Sequence, residues 1–341
     1  MPESYLEWVT KHTRTKWWND SIDPKELGLA IERGSVGATS NPFLANIAIL
    51  NNIRQWSDEI RPILGIKELE QKAEALYSVA VKHAASQLIN IHKSTNGEMG
   101  YVCAQVNPDR AEDREYMLAM AKRFSQWAPN VSVKLPGTAA GIDVMEECTL
   151  LGISTTVTIS YTVPQVIAIA ESYRRGRKRT ENPGKCFSVI MIGRLDDYIQ
   201  AVARSSNADI KQEDIPWAGL AVTKRAYEIY QRERYEANLL VAAYRGTYHL
   251  TEIAGADLVV SLTPEPWQTR FVSERLPHEE RIGNEVPKEA IDRLMKLSEF
   301  RKAYEPGGMT KNDFYSFALC HMTLKDFYWN GWKLLENFKN I

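Results

Sequence analysis

The chain has 341 residues, 44% hydrophobic and 25% charged, with a formal net charge of -1, a balance that suits a sizeable buried core and gives no general attraction for nucleic acid or an acidic membrane. The opening M-P-E-S-Y-L-E-W-V-T lacks the cationic start and apolar run of a secretory signal, and no apolar stretch approaches the roughly 18 residues that span a bilayer. Cys103, Cys148, Cys186 and Cys320 are far apart and form no C-x-x-C pair, which argues against a disulfide framework or a cysteine zinc site and sets a cytoplasmic protein with reduced thiols as the expectation.

Along the chain, β-branched runs predict strands over 15–20, 36–41, 100–106, 131–136, 154–160, 187–193, 237–244 and 256–262. The first is the weakest, resting mainly on Trp17 and Trp18. Helical spacing between them predicts helices over 67–92, 112–126, 141–151, 163–175, 215–236 and 247–254. Strands alternating with helices indicate βαβ units and a parallel sheet. Eight such units predict an α/β chain with a (β/α)8 TIM barrel over about 14–264, with a doubly wound sheet as the other arrangement. The tail, 265–341, offers no strand; it predicts helices over 287–304 and 311–339, parted by E-P-G-G-M-T. The whole chain is read as one barrel domain with a helical extension, and its aromatic last helix suits packing or a homo-oligomer contact.

A barrel of this kind carries its active site where the strands end. Polar residues gather at those ends: Asp20, Asn41, Gln105, Lys134, Thr156, Thr158, Arg194 and Arg245. In V-S-V-K-L-P, period-2 alternation puts Ser132, Lys134 and Pro136 on one face and Val131, Val133 and Leu135 on the other. The apolar set suits the helical shell, so Lys134 is expected inside the barrel. Desolvation there favours a neutral amine, the form that attacks a carbonyl carbon. A structural lysine paired with a carboxylate fits the spacing equally well.

Five segments decide between these readings: G-A-T-S-N-P-F-L (37–44), V-K-L-P-G-T-A-A-G-I (133–142), G-I-S-T-T-V-T-I-S-Y-T-V-P-Q (152–165), I-G-R-L-D (192–196) and A-A-Y-R (242–245). In this order they resemble the transaldolase family, which includes transaldolases and fructose-6-phosphate aldolases. The resemblance implies an α/β barrel whose fourth-strand lysine, here Lys134, forms a Schiff base with a ketose. It implies that Asp20 moves the proton of the C4 hydroxyl, that Asn41 holds the dihydroxyacetone unit, and that Thr158 positions a catalytic water. Arg194 and Arg245 correspond to arginines that grip phosphate. The plain alternatives are a helix-start carboxylate for Asp20, a turn before Pro42 for Asn41, and surface ion pairs for the arginines.

The departures bear on which reaction is run. Gln105 stands where transaldolases carry glutamate and the related aldolases carry glutamine. Met191 replaces a tyrosine of the aldolases or a phenylalanine of the transaldolases, and Thr156 replaces an asparagine. Ala243 and Val189 fall where transaldolases have serines. The resemblance therefore implies a transferase moving a dihydroxyacetone unit between sugar phosphates, with a dihydroxyacetone-releasing aldolase or a silent sugar-binding barrel as alternatives. The expected partner is a small sugar or sugar phosphate, with no nucleic acid, membrane, cofactor or metal. Y-R-R-G-R-K-R-T (173–180) reads as a solvated loop, N-P-G-K-C (182–186) lacks the rest of a P-loop, and the six histidines show no ligand spacing.

Overall fold

Eight parallel strands close on themselves in chain order: β1 (Lys16–Asn19), β2 (Gly37–Ala38), β3 (Tyr101–Gln105), β4 (Val131–Pro136), β5 (Thr155–Thr158), β6 (Cys186–Met191), β7 (Asn238–Ala242) and β8 (Val259–Leu262). Closure is made by β8 on β1, in register from Lys16 opposite Val259 to Asn19 opposite Leu262. The computed structural model describes residues 3–339. The expected (β/α)8 TIM barrel with C-terminal helices is the observed architecture; the doubly wound arrangement is not. Among the described residues no helix is long and apolar enough to cross a membrane, and all four cysteines are free and buried.

Strand parity separates two apolar layers. Trp17, Val102, Ala104, Val131, Val133, Leu135, Val157 and Val260 pack with the helical shell. Trp18, Tyr101, Cys103, Phe187, Val189, Met191, Leu240 and Val259 belong to a second cluster that fills the barrel. Trp18 and Phe187 meet edge to face at 4.6 Å, and Tyr101 joins Phe187 at 5.5 Å. Gly37 sits where a Cβ would lie 2.5 Å from the Trp18 ring, so the bare backbone of β2 lets an indole occupy the interior.

The strand-to-helix turns end on side chains that cap the following helix. Asp23, Asn41, Asp113, Thr138 and Thr162 each accept a backbone N–H of the first turn, satisfying donors a helix start leaves free. These caps stand just beyond β1, β2, β3, β4 and β5. They fix where each helix begins, and hence the geometry of the loops carrying the polar residues.

Several boundaries differ from the sequence reading. The strand expected over 187–193 stops at Met191, and the helix Ile192–Ser205 begins there; Ile192, Leu195 and Ile199 form its buried face at helical spacing. Arg194 therefore lies in a first helical turn. The helix expected to stop at 175 runs on to Arg177, so the basic run is chiefly a helix end, where cations are favourable. It is also not a freely solvated loop: Arg174 pairs with Glu236, and Arg175 with Glu146. The segment expected as one helix over 287–304 is two, Lys288–Leu294 and Ser298–Tyr304. The last predicted helix is broken, with Ala318–Phe327 as its main piece; Gly331 lies against Phe43, where a Cβ would approach its backbone nitrogen to 3.0 Å. Helices at Tyr5–His12, Pro24–Glu32, Pro42–Asn52 and Ser57–Ile63 complete the shell.

Gly141 opens the helix after β4, and a Cβ there would lie 2.0 Å from the Pro136 carbonyl oxygen. Neither backbone can give way without moving the end of the strand that carries Lys134. Gly141→Ala is expected to destabilise the fold by about 1–3 kcal/mol through overpacking, despite alanine's better helix propensity. Gly283→Ala, with nothing within 4 Å of the new methyl, is expected to be near neutral; urea unfolding measures both.

Candidate active site

Lys134 is 7% exposed and faces into the mouth of the barrel from β4, opposite Gln105 of β3 and Thr156 of β5 in register. Its Nζ donates to the Ser40 carbonyl oxygen at 3.0 Å. Among the described residues it makes no ion pair within 4.0 Å. The paired structural lysine that the spacing allowed is thus absent from this fold. An ammonium buried without a directly bonded carboxylate is costly, which makes Lys134 the candidate functional group of the barrel mouth.

Ser40 is held by a directed chain of hydrogen bonds. The Gln105 N–H donates to the Tyr77 hydroxyl at 3.0 Å, and the Ser40 hydroxyl donates to the Cys103 carbonyl at 2.8 Å. That spends the Ser40 hydrogen, so the 2.7 Å contact between Tyr77 and Ser40 has Tyr77 as donor. Burial pushes the Tyr77 hydroxyl well above its ordinary range and keeps it protonated. Tyr77 comes from the helix Leu69–Ser94 and rests edge-on against Phe124 and Trp127. It was missed in the sequence reading, because a tyrosine in the middle of a helix looks like core.

The residues flanking Ser40 serve the same mouth. Thr39 donates to Asp20 Oδ1 at 2.6 Å, so in its contact with Ser261 of β8 the Ser261 hydroxyl is the donor. Burial raises the Asp20 carboxyl above the usual range, partly offset by the Lys134 charge and the Thr39 hydrogen bond. Asp20 is therefore within electrostatic reach of Lys134, and it caps no helix; Asp23 does. Asn41 caps the helix Pro42–Asn52, its Oδ1 accepting from Leu44 N at 3.0 Å, which leaves its amide N–H groups available. Thr39 and Ser261 also escaped the sequence reading, although Thr39 belongs to the T-x-N-P pattern.

Gln105 is 2% exposed, and neither its Oε1 nor its Nε2 has a hydrogen-bond partner in the chain. Buried amides are almost always satisfied, so this one is set to bind something besides the protein. Thr158 has only a weak contact, its hydroxyl directed at the Met191 sulfur at 3.8 Å. Thr156 differs: its hydroxyl meets Ser132 at 2.7 Å and receives the Cys103 thiol at 3.4 Å, so it is engaged in the layer beneath Lys134. Among the described residues no three His, Cys, Asp or Glu side chains are grouped to hold a metal ion. A surface groove of 440 Å³ beside the C-terminal helices has none of these residues in its lining.

Arg194 and Arg245 come from adjacent strand ends, and Gly193 lies directly against the Arg245 side chain. Each is already paired. Arg194 Nη2 donates to Asp326 Oδ2 at 2.9 Å, with its guanidinium over the Phe327 ring at 5.2 Å. Arg245 donates from Nε and Nη2 to Asp197 Oδ2 at 2.9 and 2.7 Å. Beneath them, buried His249 accepts the Arg245 N–H at Nδ1, 3.0 Å, so its Nε2 carries hydrogen and donates to Asp196 at 2.8 Å. Ala243, at the end of β7, has φ 65°, a left-handed conformation that costs a non-glycine residue free energy and often marks functional strand ends. Its carbonyl accepts both Gly193 N and Arg245 Nη1.

Comparison with known proteins agrees with this geometry. Residues 17–310 match the family model described as Transaldolase/Fructose-6-phosphate aldolase. Curated relatives include a transaldolase of Thiobacillus denitrificans, 28% identical over 58% of this chain and 58% of its own length. Transaldolase 1 of Streptomyces avermitilis is 26% identical over 67% of this chain and 65% of its own. Transaldolase 2 of a Nostoc species is 30% identical over 56% and 52%. The chain thus matches between about half and two thirds of these relatives' length. With the closed barrel, the inward Lys134 and the family match over most of its length, the chain belongs to the transaldolase/fructose-6-phosphate aldolase family.

Proposed function

We propose that the protein transfers a dihydroxyacetone unit from a ketose to an aldehyde through a Schiff base on Lys134. The observation that carries this reading is a buried Lys134 whose Nζ has a backbone carbonyl, and no carboxylate, as its partner. Free Lys134 amine attacks the ketose C2 carbonyl. The carbinolamine then loses water, its protons relayed by a water molecule that Gln105 and Thr158 orient. The protonated imine withdraws electrons, so Asp20 can accept the C4 hydroxyl proton while the C3–C4 bond breaks. An aldehyde departs and the three-carbon enamine stays, held through its hydroxyls by Asn41. An incoming aldehyde captures the enamine carbon, Asp20 returns its proton, and hydrolysis frees the new ketose. Thr156, bonded to Ser132 and Cys103, reaches the substrate only if that hydroxyl is released, and Arg194 and Arg245 stand at the far end of the donor.

A second reading has one observation in its favour. Gln105, as in the aldolases, presents an unpaired amide that can hold water, and water that protonates the enamine would release dihydroxyacetone. Against it, Gln105 cannot take a proton and Met191 offers a sulfur where a hydroxyl could hold water. Slow enamine hydrolysis, and hence net transfer, is the expected balance.

Three outcomes test the proposal. Borohydride with dihydroxyacetone or a ketose phosphate is expected to fix an adduct on Lys134, read by peptide mass; Lys134→Met should lose it with unfolding unchanged. An adduct elsewhere, or none with any ketose, removes the mechanism. Asp20→Asn should lower kcat/KM by about 10²–10⁴-fold, the usual worth of a positioned acid–base group. Because Asp20 must be ionised to act, kcat/KM should fall on the acid side at a pH above the ordinary carboxylate range. Thr39→Val deletes a hydrogen bond to the ionised form, so that limb should move to higher pH; no movement would detach the limb from Asp20. Finally, donor alone should release little dihydroxyacetone, whereas donor with acceptor aldehyde should form new ketose. Gln105→Glu should favour transfer and Met191→Tyr release.

A further inference from the structure

The seam between β2 and β3 opens at the mouth of the barrel. Their parallel pairing runs from Gly37 opposite Tyr101 to Ala38 opposite Val102, and β2 ends there. Continuing that register would set Ser40 opposite Ala104. A parallel ladder would then send the Ser40 N–H to the Cys103 carbonyl and the Gln105 N–H to the Ser40 carbonyl. Neither backbone bond is made. The Ser40 hydroxyl donates to the Cys103 carbonyl instead, at 2.8 Å, and the Gln105 N–H donates to the Tyr77 hydroxyl at 3.0 Å.

Two side-chain hydroxyls thus stand in for one repeat of backbone ladder. The exchange leaves the Ser40 carbonyl without a strand partner, and Lys134 Nζ donates to it at 3.0 Å. Were the ladder closed, the Gln105 N–H would draw that oxygen into the wall of the barrel, away from the amine. Tyr77 is placed to prevent this. It is fully buried, donates to the Ser40 hydroxyl at 2.7 Å, and rests edge-on against Phe124 and Trp127. Its one hydrogen goes to Ser40 and a lone pair to Gln105, so the phenol oxygen is committed to both edges of the seam. It arrives from the helix Leu69–Ser94, which packs against β3 from the shell.

We propose that Tyr77 is a positioning residue for Lys134, acting through Ser40. Its hydroxyl holds the β2–β3 seam open and so reserves the Ser40 carbonyl for the amine. Phenylalanine at this position would keep the packing against Phe124 and Trp127 but leave the Gln105 N–H without an acceptor. A buried donor left unpaired is costly, so the seam would close onto the Ser40 carbonyl. The inference rests on the Lys134 reading for its consequence in turnover, and on the hydrogen bonds alone for the seam.

The first arm of the test is independent of Schiff-base chemistry. A crystal structure of Tyr77→Phe should show Gln105 N bonded to the Ser40 carbonyl and Lys134 Nζ displaced from it; an unchanged seam would overturn the proposal. The second arm measures, by peptide mass, how fast cyanoborohydride fixes dihydroxyacetone on Lys134, beside reductive methylation of the same residue by formaldehyde. In Tyr77→Phe the ketose adduct should form at least about tenfold more slowly, because a small misplacement of a reacting group is enough for such a loss. Formaldehyde makes little demand on orientation and should react at nearly the wild-type rate. Ser40→Ala removes the hydroxyl through which Tyr77 acts, so Tyr77→Phe/Ser40→Ala should be no slower than the slower single variant. Leu88→Ala opens a cavity in buried core about three turns along the same helix and controls for lost stability; it should trap ketose like wild type. Additive losses, a Tyr77→Phe as fast as wild type, or a Leu88→Ala slowed as much would each overturn the proposal. If wild type itself traps nothing on Lys134, the Schiff-base reading falls and the first arm decides the seam.

Discussion

The site depends on one hydrogen bond, from Lys134 Nζ to the carbonyl of Ser40. A carboxylate in that place would pair with the ammonium directly. A carbonyl dipole orients the side chain without imposing a counter-charge. Ser40 can serve because its own hydroxyl is locked between Tyr77 and Cys103, so the carbonyl has little freedom to drift. The same three-residue segment aims Thr39 at Asp20 and lets Asn41 start a helix. Moving it would disturb Lys134, Asp20 and Asn41 together.

Around this bond the polarity of the barrel is graded. Its interior is aromatic, with Trp18, Phe187 and Tyr101 in contact. Beneath Lys134 come short neutral side chains, Cys103, Ser132 and Thr156, which bond to one another. At the mouth come Lys134 and Asp20, within electrostatic reach of each other, and the buried, unpaired amide of Gln105. Low polarity below and confined charge above strengthen each electrostatic interaction in the layer between. The arginines, further out, meet carboxylates at once. Near Lys134 the opposite charges meet without a direct ion pair, whereas the arginines are paired directly.

Much of this was legible in the sequence. Period-2 alternation in V-S-V-K-L-P placed Lys134 inward because one face had to be apolar enough for the helical shell, and β4 occupies the predicted residues. Eight strand–helix alternations gave the barrel, since parallel strands require crossovers. The polar strand ends singled out Asp20, Gln105 and Thr158, because an apolar core tolerates such groups only where they can reach water or a ligand. Boundaries were less legible. Ile192 begins a helix where the β-branched run suggested strand, since a short apolar run fits either period.

What the tertiary structure alone decided is which groups pair. Tyr77, Thr39 and Ser261 lie far from Lys134 in sequence, and their bearing on it depends on barrel closure, which no local pattern encodes. Whether the arginines offer free charge was equally hidden. Asp326 is 132 positions from Arg194, in a helix that looked like packing, and their contact follows from how the extension folds back over the mouth. Sequence by itself determined the periodicities, and so the fold and the inward lysine, because these follow from one segment facing apolar or polar surroundings. Hydrogen-bond direction and charge compensation are properties of atoms brought together from distant segments, and only the closed structure fixes them.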